Sequence, residues 1–174
     1  MKKRLRIEYF LVAAVMLLLF VGSIAATNFF FQKEMVAQQE TYLRRKNTLL
    51  TDQLPPSVFE KGQLTNQQQL LVTHALDDAE ERVTLLQKNG TVFFDSSQNE
   101  PLESHKKRPE IAAVLSGATY GSALRKSKTL NKELLYVATP VLKSGEIVGI
   151  IRISEQTALF SKNIQSFRRY IIFT

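Results

Sequence analysis

Five side chains in the second half of the chain are the strongest candidates for binding chemistry, because cationic and aromatic groups there lie near polar stretches. The guanidinium group of arginine can hold a carboxylate or a phosphate through paired N–H donors. A pocket for such a ligand would lie between a sheet and the segment that covers it. These residues therefore predict a site for a small anion or an anionic cell-envelope component. The candidates are His105, Arg108, Tyr120, Arg125 and Tyr136.

A structural role is the alternative for three of these side chains. Arg108 and Arg125 could pair at the surface with carboxylates that lie near them in the sequence, namely Glu103, Glu110 or Asp95. Ion pairs of this kind are common and contribute little to stability. Tyr136 lies inside an apolar run, which favours a place in the core over contact with a ligand.

The chain carries no recognisable catalytic or metal-binding pattern. It has 2 histidines and no cysteine, and neither a Gly-rich phosphate loop nor a His-Glu-x-x-His motif is present. The absence of cysteine excludes a disulfide framework and thiolate metal sites. We therefore predict no catalytic residues, no metal ligands and no cofactor.

An uncharged, mostly apolar stretch from Tyr9 to Phe31 predicts a membrane-spanning helix over residues 9–31. As a helix it would be roughly 34 Å long, which exceeds the roughly 30 Å of a hydrocarbon core. The basic residues before it place residues 1–8 in the cytoplasm and the rest of the chain outside. A cleavable signal peptide is the alternative, since Ser23 and Ala25 have a suitable spacing. The apolar run continues beyond that site, which favours an uncleaved anchor.

The formal net charge of +7 comes largely from the two ends of the sequence. Four basic residues precede the apolar stretch, and Arg168 and Arg169 precede the final apolar residues. Such flanks are typical of membrane proteins. Because the remaining charges nearly cancel, we predict no nucleic-acid partner.

Residues 32–54 predict a helix that ends before Pro55 and Pro56. Apolar residues recur every seven positions at Val36, Leu43 and Leu50, which predicts either a seam with a partner helix or a face that packs on the chain's own domain. Thr65 and Gln68 predict a capping box at the start of the next helix.

The second half of the sequence alternates strands with one short helix. Asn89-Gly90 between two strand-like runs predicts a hairpin with a type I′ turn. Pro109 opens a short apolar helix closed by Gly117, and residues 121–130 are extended or loop-like. Residues 133–154 predict a second hairpin, apolar on both faces, in which Pro140 requires an edge or a bulge. From residue 155 onward we predict a helix that leads into a second membrane span. The fold class is α+β, with helices on one side of a mainly antiparallel sheet.

Several of these segments resemble one family in their order. Residues 82–96 resemble the first hairpin of extracytoplasmic PAS-like (Cache) sensor domains. The sequence is also similar to the phosphate-regulon (PhoR-type) sensor histidine kinases, in the motifs His105-x-x-Arg108-Pro109-Glu110-Ile111, Gly117, Gly121, Arg125-x-Ser127-x-Thr129-Leu130, Leu134-Leu135-Tyr136-Val137-Ala138-x-Pro140 and Val148-Gly149-Ile150-Ile151-Arg152. The resemblance implies a homodimeric membrane receptor whose cytoplasmic kinase phosphorylates its own histidine and then a response regulator.

The resemblance implies an extracytoplasmic sensor domain over residues 32–166 and the start of a second span over residues 167–174. The chain would then lie in the cell membrane with its bulk outside. Because the sequence ends before any kinase core, we expect it to be a fragment or a truncated form of such a kinase. Three alternatives remain, namely the Cache domain of a chemoreceptor or cyclase, a tethered dimerisation or assembly protein without a ligand, and a secreted binding protein.

Overall fold

The computed structural model describes residues 2–76, 81–97, 104–127 and 133–157. The chain divides into two compact units, residues 1–38 and residues 39–174. Helix α1, Lys2–Gln53, contributes to both units and covers both of the helical segments predicted for this region.

The first unit is helical and presents large apolar side chains on its surface. Phe10 and Leu18, for example, are each 74 % exposed. Continuous exposed apolar surface of this kind requires cover that the unit itself does not supply. Within the described residues, α1 is the helix whose length and composition would allow it to cross a membrane. This agrees with the predicted span over residues 9–31.

The second unit adds three helices and five strands to the end of α1. Their bounds are α2 Pro56–Lys61, α3 Asn66–His74, β1 Arg82–Gln87, β2 Val92–Asp95, α4 Pro109–Leu115, β3 Gly121–Lys126, β4 Glu133–Lys143 and β5 Glu146–Gln156. The predicted capping box is confirmed, because the Gln68 amide donates to Thr65 Oγ1 and the Thr65 amide donates to Gln68 Oε1. Helix α2 was not predicted, and it begins with Pro56 at its first helical position, where a missing N–H costs nothing.

The five strands form one antiparallel sheet with the order β2-β1-β5-β4-β3. The hairpin predicted at residues 133–154 supplies the two longest strands, which occupy central positions. Strand β3 pairs with β4 only as far as Gly121 opposite Ala138. Among the described residues no strand pairs with β4 on that side beyond Ala138, so Pro140 lies at a local edge. The ladder to β5 shifts register just after it, between Val141 and Leu142. Both features agree with the expectation for Pro140.

Helices cover both faces of the sheet, so the expectation of helices on one side was wrong. Ile111 and Val114 of α4 pack against Ile150 in a buried apolar cluster. On the preceding residue of β5, a Cβ atom on Gly149 would lie 2.6 Å from Cβ of Phe59 in α2. Because successive residues of a strand point to opposite faces, α4 and α2 lie on opposite sides. A central hairpin that is apolar on both faces needs a helix packed against each face.

The second-unit part of α1 packs on the α2 side of the sheet. Leu43, Leu50 and Leu54 are each at most 2 % exposed, and Asn47 Nδ2 donates to the carbonyl of Val137 in β4 at 2.9 Å. The structure therefore supports the second of the two interpretations of the apolar repeat, a face packed on the chain's own domain.

The turn chemistry differs from the prediction at one hairpin. Only Gly90 of the Asn89-Gly90 pair has a positive φ, 85°, and Asn89 Oδ1 instead accepts a hydrogen bond from the Thr91 amide at 2.9 Å. A type I′ turn needs positive φ at both positions, so that prediction was wrong. Ser144 and Gly145, between β4 and β5, have φ values of 52° and 84° and provide the two-residue turn.

Glu155 and Gln156 belong to strand β5 and not to the helix predicted from residue 155. Each is paired across the ladder, Glu155 with Leu135 and Gln156 with Leu134. The remainder of the predicted helix and the second membrane span lie outside the described residues.

Candidate functional site

A charged cluster lies between the sheet and α4. We define it as Arg82, Thr84, Asp95, Glu110, Arg125, Tyr136 and Arg152. At its centre Arg152 of β5 is 2 % exposed and pairs in the ladder with Thr84 on one side and Ala138 on the other. It follows Ile150 by two residues, so its side chain is on the α4 face.

Two hydrogen bonds hold the Arg152 guanidinium. Nη2 donates to Thr84 Oγ1 at 2.8 Å, and Nη1 donates to Glu110 Oε1 at 3.4 Å. Burial is the main reason that the pKa of Arg152 is lowered to about 10, and the carboxylate of Glu110 opposes that effect. The side chain therefore remains a cation at neutral pH, in a place where an unpaired charge would be strongly destabilising.

Glu110 is brought into the cluster by the way α4 begins. Arg108 caps the helix, Pro109 is its first residue, and Glu110 lies in the first turn, where a carboxylate is favoured by the helix dipole. Gly121 of β3 lies so close below that a Cβ atom there would be 2.9 Å from the carbonyl carbon of Glu110. The missing side chain at Gly121 thus allows α4 to approach the sheet, and Glu110 is fully buried.

Arg125 and Tyr136 form the edge of the cluster nearest β3. Arg125 Nη2 donates to Glu110 Oε1 at 3.0 Å, and its Cζ lies 3.7 Å from the centroid of the Tyr136 ring. Arg152 Cζ lies 5.2 Å from the same centroid. The electron-rich face of the ring stabilises both cations, and the two arginines share one carboxylate oxygen.

Asp95 anchors the opposite edge. It accepts two hydrogen bonds from Arg82 Nε, at 2.8 and 3.0 Å, and one from Thr84 Oγ1 at 2.8 Å. The Thr84 hydroxyl accepts from Arg152 and donates to Asp95, so it links the two halves of the cluster. Ser97 donates to Asp95 from both its amide and its hydroxyl.

His105 is buried beside the cluster. Its amide donates to the carbonyl of Gly90 at 2.9 Å, which ties this loop to the β1–β2 turn. Burial, together with the positive charges of Arg152 and Arg108, lowers the pKa of His105 to about 4. The imidazole is therefore neutral at pH 7 and can accept or donate one hydrogen bond at each nitrogen.

Several buried polar atoms in and beside the cluster have no hydrogen-bond partner among the described residues. A buried polar atom without a partner is costly, and in folded proteins such groups are almost always satisfied by protein, water or ligand. Five of them belong to residues of the cluster or to their neighbours, and they include unpaired donors on two cations and an unpaired acceptor on one carboxylate. They are Glu110 Oε2, Arg125 Nε, Arg152 Nε, His105 Nδ1 and Ser154 Oγ.

The charge balance of this cluster favours an anion. Three guanidinium groups, of Arg82, Arg125 and Arg152, face two carboxylates, of Asp95 and Glu110. One positive charge of the cluster is therefore not neutralised within it. A carboxylate or phosphate at this point would complete the balance, and the free Nε–H groups would donate to it.

The structure brings three of the five candidate residues to this region and places the other two nearby or elsewhere. Arg125 and Tyr136 belong to the cluster and His105 lies beside it. Arg108 is half-buried at the start of α4. Tyr120 lies against α1 instead, 5.0 Å from Arg44 and hydrogen-bonded to Glu40, and this bond raises its pKa.

The alternative of surface ion pairs identified the correct partner of Arg125, but that pair does not lie at the surface. Arg125 does pair with Glu110, but that carboxylate is fully buried. Asp95 pairs with Arg82, and Glu103 lies outside the described residues. Arg152 was not predicted to take part, although an arginine within the apolar run Ile150-Ile151-Arg152-Ile153 of a strand covered on both faces was the available signal.

The fold of the second unit is that of sensory domains from bacterial receptors. The structure is similar to the V. cholerae histidine kinase DctB sensor domain, with TM-score 0.58, 19 % identity, and coverage of 72 % of this chain and 52 % of that one. It is also similar to the ligand-binding domain of Campylobacter jejuni chemoreceptor Tlp3 in complex with 4-methylisoleucine, with TM-score 0.53, 13 % identity, and coverage of 71 % and 52 %. The extracellular ligand binding receptor from Desulfohalobium retbaense gives TM-score 0.58, 10 % identity, and coverage of 75 % and 25 %.

The sequence supports the same assignment. Residues 52–156 match the model of the Single Cache-like family, which is more than half of the chain. The chain therefore belongs to the Single Cache-like family. It spans about half or less of the length of the three similar structures. The comparison with curated proteins gave no match.

Proposed function

We propose that this chain is the extracytoplasmic input module of a membrane-bound sensor histidine kinase of the two-component type. In this proposal the N-terminal helix anchors the chain in the cell membrane, and the Cache domain lies outside. Binding of a ligand or partner changes the packing of the domain, and the C-terminal helix passes that change to a cytoplasmic kinase. The kinase would phosphorylate a response regulator, and the receptor would act as a homodimer.

The observation that carries the proposal is the charged cluster under α4. A protein that only needs a stable core gains little from burying five charged groups with several donors and acceptors unused. A binding site, by contrast, needs such groups in advance, because a ligand then meets fixed partners and loses less entropy on binding. The cluster is therefore better suited to recognition than to stability.

We propose that the ligand is a small molecule with an anionic group. Its carboxylate or phosphate would accept from Arg125 and Arg152, and Tyr136 would support both guanidinium groups. The free Oε2 of Glu110 would accept from a donor on the ligand. The neighbouring structures support a ligand of this size, since chemoreceptor Tlp3 is described with 4-methylisoleucine or isoleucine. A soluble anionic fragment of the cell envelope would satisfy the same groups.

The relation to phosphate-regulon (PhoR-type) kinases is a finer proposal. Its support is the ordered set of motifs between residues 105 and 152. Five residues of that set lie at or beside the charged cluster, namely His105, Glu110, Arg125, Tyr136 and Arg152. The similarity of the fold to the histidine kinase DctB sensor domain is consistent with this class of receptor.

A thermal-shift screen of the full chain in lipid nanodiscs tests ligand binding. The compounds are inorganic phosphate, dicarboxylates, branched-chain amino acids and soluble cell-wall fragments. We expect one class to raise the melting temperature saturably, since a ligand of the folded state stabilises it by RT ln(1 + [L]/Kd). A flat screen on a well-folded sample would contradict a small-molecule ligand and favour a domain that holds a dimer or meets a protein.

A matched pair of variants on β3 locates the site. Arg125→Gln and Lys126→Gln each remove one positive charge from neighbouring residues, but Arg125 belongs to the cluster and Lys126 is exposed. We expect Arg125→Gln to abolish the ligand-induced shift and Lys126→Gln to retain it. Equal behaviour of the two variants would show that the shift depends on overall charge and not on the cluster.

The coupling to a kinase needs a separate measurement. Residues 1–174 would be joined to the transmitter region of a histidine kinase with a known response regulator and placed in vesicles. We expect the ligand found in the screen to change the rate of autophosphorylation. A chemoreceptor input domain is the second candidate function, because the Tlp3 ligand-binding domain is nearly as similar in fold as the DctB sensor domain. A fusion that binds ligand without any change in phosphorylation, but signals when joined to a chemoreceptor output, would favour that second candidate.

A further inference from the structure

A groove of about 500 Å³ lies on the α1 side of the sheet, between α1 and β4. Its walls include Arg44 and Arg45 from α1, Tyr120 from the segment before β3, and Thr139, Pro140 and Leu142 from β4. This volume lies within the range of roughly 300–1,000 Å³ that small-molecule sites occupy. None of the residues of the charged cluster lines it.

The groove exists because β3 is shorter than the strand it pairs with. The β3–β4 ladder stops at Gly121 and Ala138, and beyond it none of the described strands pairs with β4 on that side. Tyr120, just before β3, turns away from the sheet and packs under Arg44, with 5.0 Å between the guanidinium carbon and the ring centroid. Its hydroxyl is held by Glu40, which raises the pKa of Tyr120. Specific contacts of Tyr120 with Arg44 and Glu40 therefore define the wall of the gap beside β4.

The lining combines apolar surface with two cations. Leu142 is 50 % exposed, and Pro140 and the Tyr120 ring add further apolar area. Arg44 and Arg45 are exposed, and within the described residues neither forms an ion pair with a carboxylate. The nearest carboxylate on α1, that of Glu40, is engaged with Tyr120. An occupant with an apolar body and one anionic end would match both parts of the surface.

A buried hydroxyl in the wall supplies a further polar partner. Thr139 is 7 % exposed, and its Oγ1 has no hydrogen-bond partner among the described residues. Thr139 pairs with Ile151 and so faces the α1 side of the sheet, whereas its neighbour Ala138 faces α4. A ligand atom that reached this hydroxyl would provide a hydrogen bond that the free domain lacks.

We propose that this groove is a second ligand site, which binds a small organic carboxylate with an apolar chain. The carboxylate is held by Arg44 and Arg45, and the chain lies on Pro140, Leu142 and Tyr120. Because one wall is α1, an occupant here contacts the helix that runs from the domain toward the N-terminal apolar segment. The site is distinct in position and in chemistry from the charged cluster.

Isothermal titration of the full chain in nanodiscs tests the proposal with hexanoate as the probe. Hexanamide, which has the same shape without the charge, is the matched control ligand. We expect saturable binding of hexanoate and no binding of hexanamide. Equal heats from the two compounds, or no saturable heat from hexanoate, would overturn the proposal.

Four variants assign the binding to the groove. We expect Arg45→Gln to weaken hexanoate binding about tenfold or more, the value of one charge-assisted hydrogen bond. Lys88→Gln removes an exposed charge whose 3.5 Å contact with Glu146 is at the surface, and it leaves binding unchanged. Arg125→Gln, which disables the charged cluster, shows whether the probe binds there instead. Hexanoate binding that is lost in Arg125→Gln and retained in Arg45→Gln would place the probe in the cluster and refute the groove.

Thr139→Val separates binding from stability, because the two effects have opposite signs. The change removes a buried, unpaired hydroxyl and keeps the shape, so the melting temperature should not fall and is expected to rise. Hexanoate binding is expected to weaken about threefold, as for one neutral hydrogen bond. If the variant is more stable and its affinity for hexanoate is unchanged, the Thr139 hydroxyl does not contact the ligand.

Discussion

Replacing Glu110 by glutamine is the most informative perturbation of the charged cluster. The side chain is fully buried, and one of its oxygens accepts from Arg125 Nη2 at 3.0 Å and from Arg152 Nη1 at 3.4 Å. Glutamine keeps the shape and one carbonyl acceptor but removes the negative charge. Two guanidinium groups, with side chains 22 % and 3 % exposed, would then share no carboxylate.

The expected cost is about 3 kcal/mol in the free energy of unfolding, at the lower end of the range for breaking a buried ion pair. This is a large share of the roughly 5–15 kcal/mol that stabilises a typical domain. For a domain of this size it corresponds to a fall in melting temperature of roughly 10–20 °C. Near-ultraviolet circular dichroism of the full chain in nanodiscs, followed during heating, measures the change.

Glu60→Gln is the matched control. Glu60 also forms an ion pair, with Lys143 Nζ at 2.7 Å, but the two side chains are 42 % and 53 % exposed. A surface pair of this kind is worth at most about 1 kcal/mol, so this variant should melt close to the unchanged protein. A second variant, Glu110→Gln with Arg152→Gln, should be less destabilised than the sum of the single changes. The account is refuted if Glu110→Gln and Glu60→Gln have equal effects.

Two further predictions concern the core and the pH dependence. Gly149→Val should destabilise the domain by about 1–3 kcal/mol, the usual cost of overpacking, because a Cβ atom there would lie 2.6 Å from Cβ of Phe59; an unchanged melting curve would show that α2 can move away at no cost. The neutral form of His105 is favoured in the folded state, since burial lowers its pKa from 6.5 to about 4. The stability this provides is complete above pH 6.5 and is lost as the pH falls toward 4, by about 3–4 kcal/mol in all at roughly 1.4 kcal/mol per pKa unit. Urea titrations between pH 7 and pH 4 should show that His105→Gln flattens this dependence; an unchanged slope in that variant would contradict the assignment to His105.

The elements that sequence predicted best are those with strong local signals. The capping box at Thr65 depends on residues three positions apart, and the hairpin at residues 133–154 depends on two long β-branched runs. Pro140 could be assigned to an edge because proline lacks the amide that a ladder requires. Each of these features is decided within a few residues of the chain.

Features that depend on distant parts of the chain were harder to predict. Asn89-Gly90 is the favoured pair for a type I′ turn, yet an Asn89 side-chain bond to the Thr91 amide and the packing of the 105 loop on Gly90 select a different turn. Likewise, two apolar faces on the central hairpin implied two covering layers, but which helices supply them depends on the path of α2 and α4.

The sequence predicted the types of residue that form the candidate site, but it did not identify all of its members. His105 and Arg125 were identified because histidine and arginine near loops are candidates for anion binding. Arg152 and Glu110 were overlooked as site residues because each is surrounded by apolar neighbours, Ile151 and Ile153 or Ile111. Whether such a charge faces a partner or is simply half-exposed is decided by strand pairing and by the approach of α4 over Gly121.

The most direct test of the proposed ligand site is the NMR signal of the arginine Nε–H groups in the full chain, recorded while the ligand found in the screen is added. Within the part of the chain that the structure describes, Nε of Arg125 and of Arg152 has no hydrogen-bond partner, whereas Nε of Arg82 is already bonded to Asp95. We predict that the signals of Arg125 and Arg152 move together and saturate with the ligand, while that of Arg82 stays in place. Saturable binding measured by calorimetry without movement of either signal would contradict a ligand site at the charged cluster.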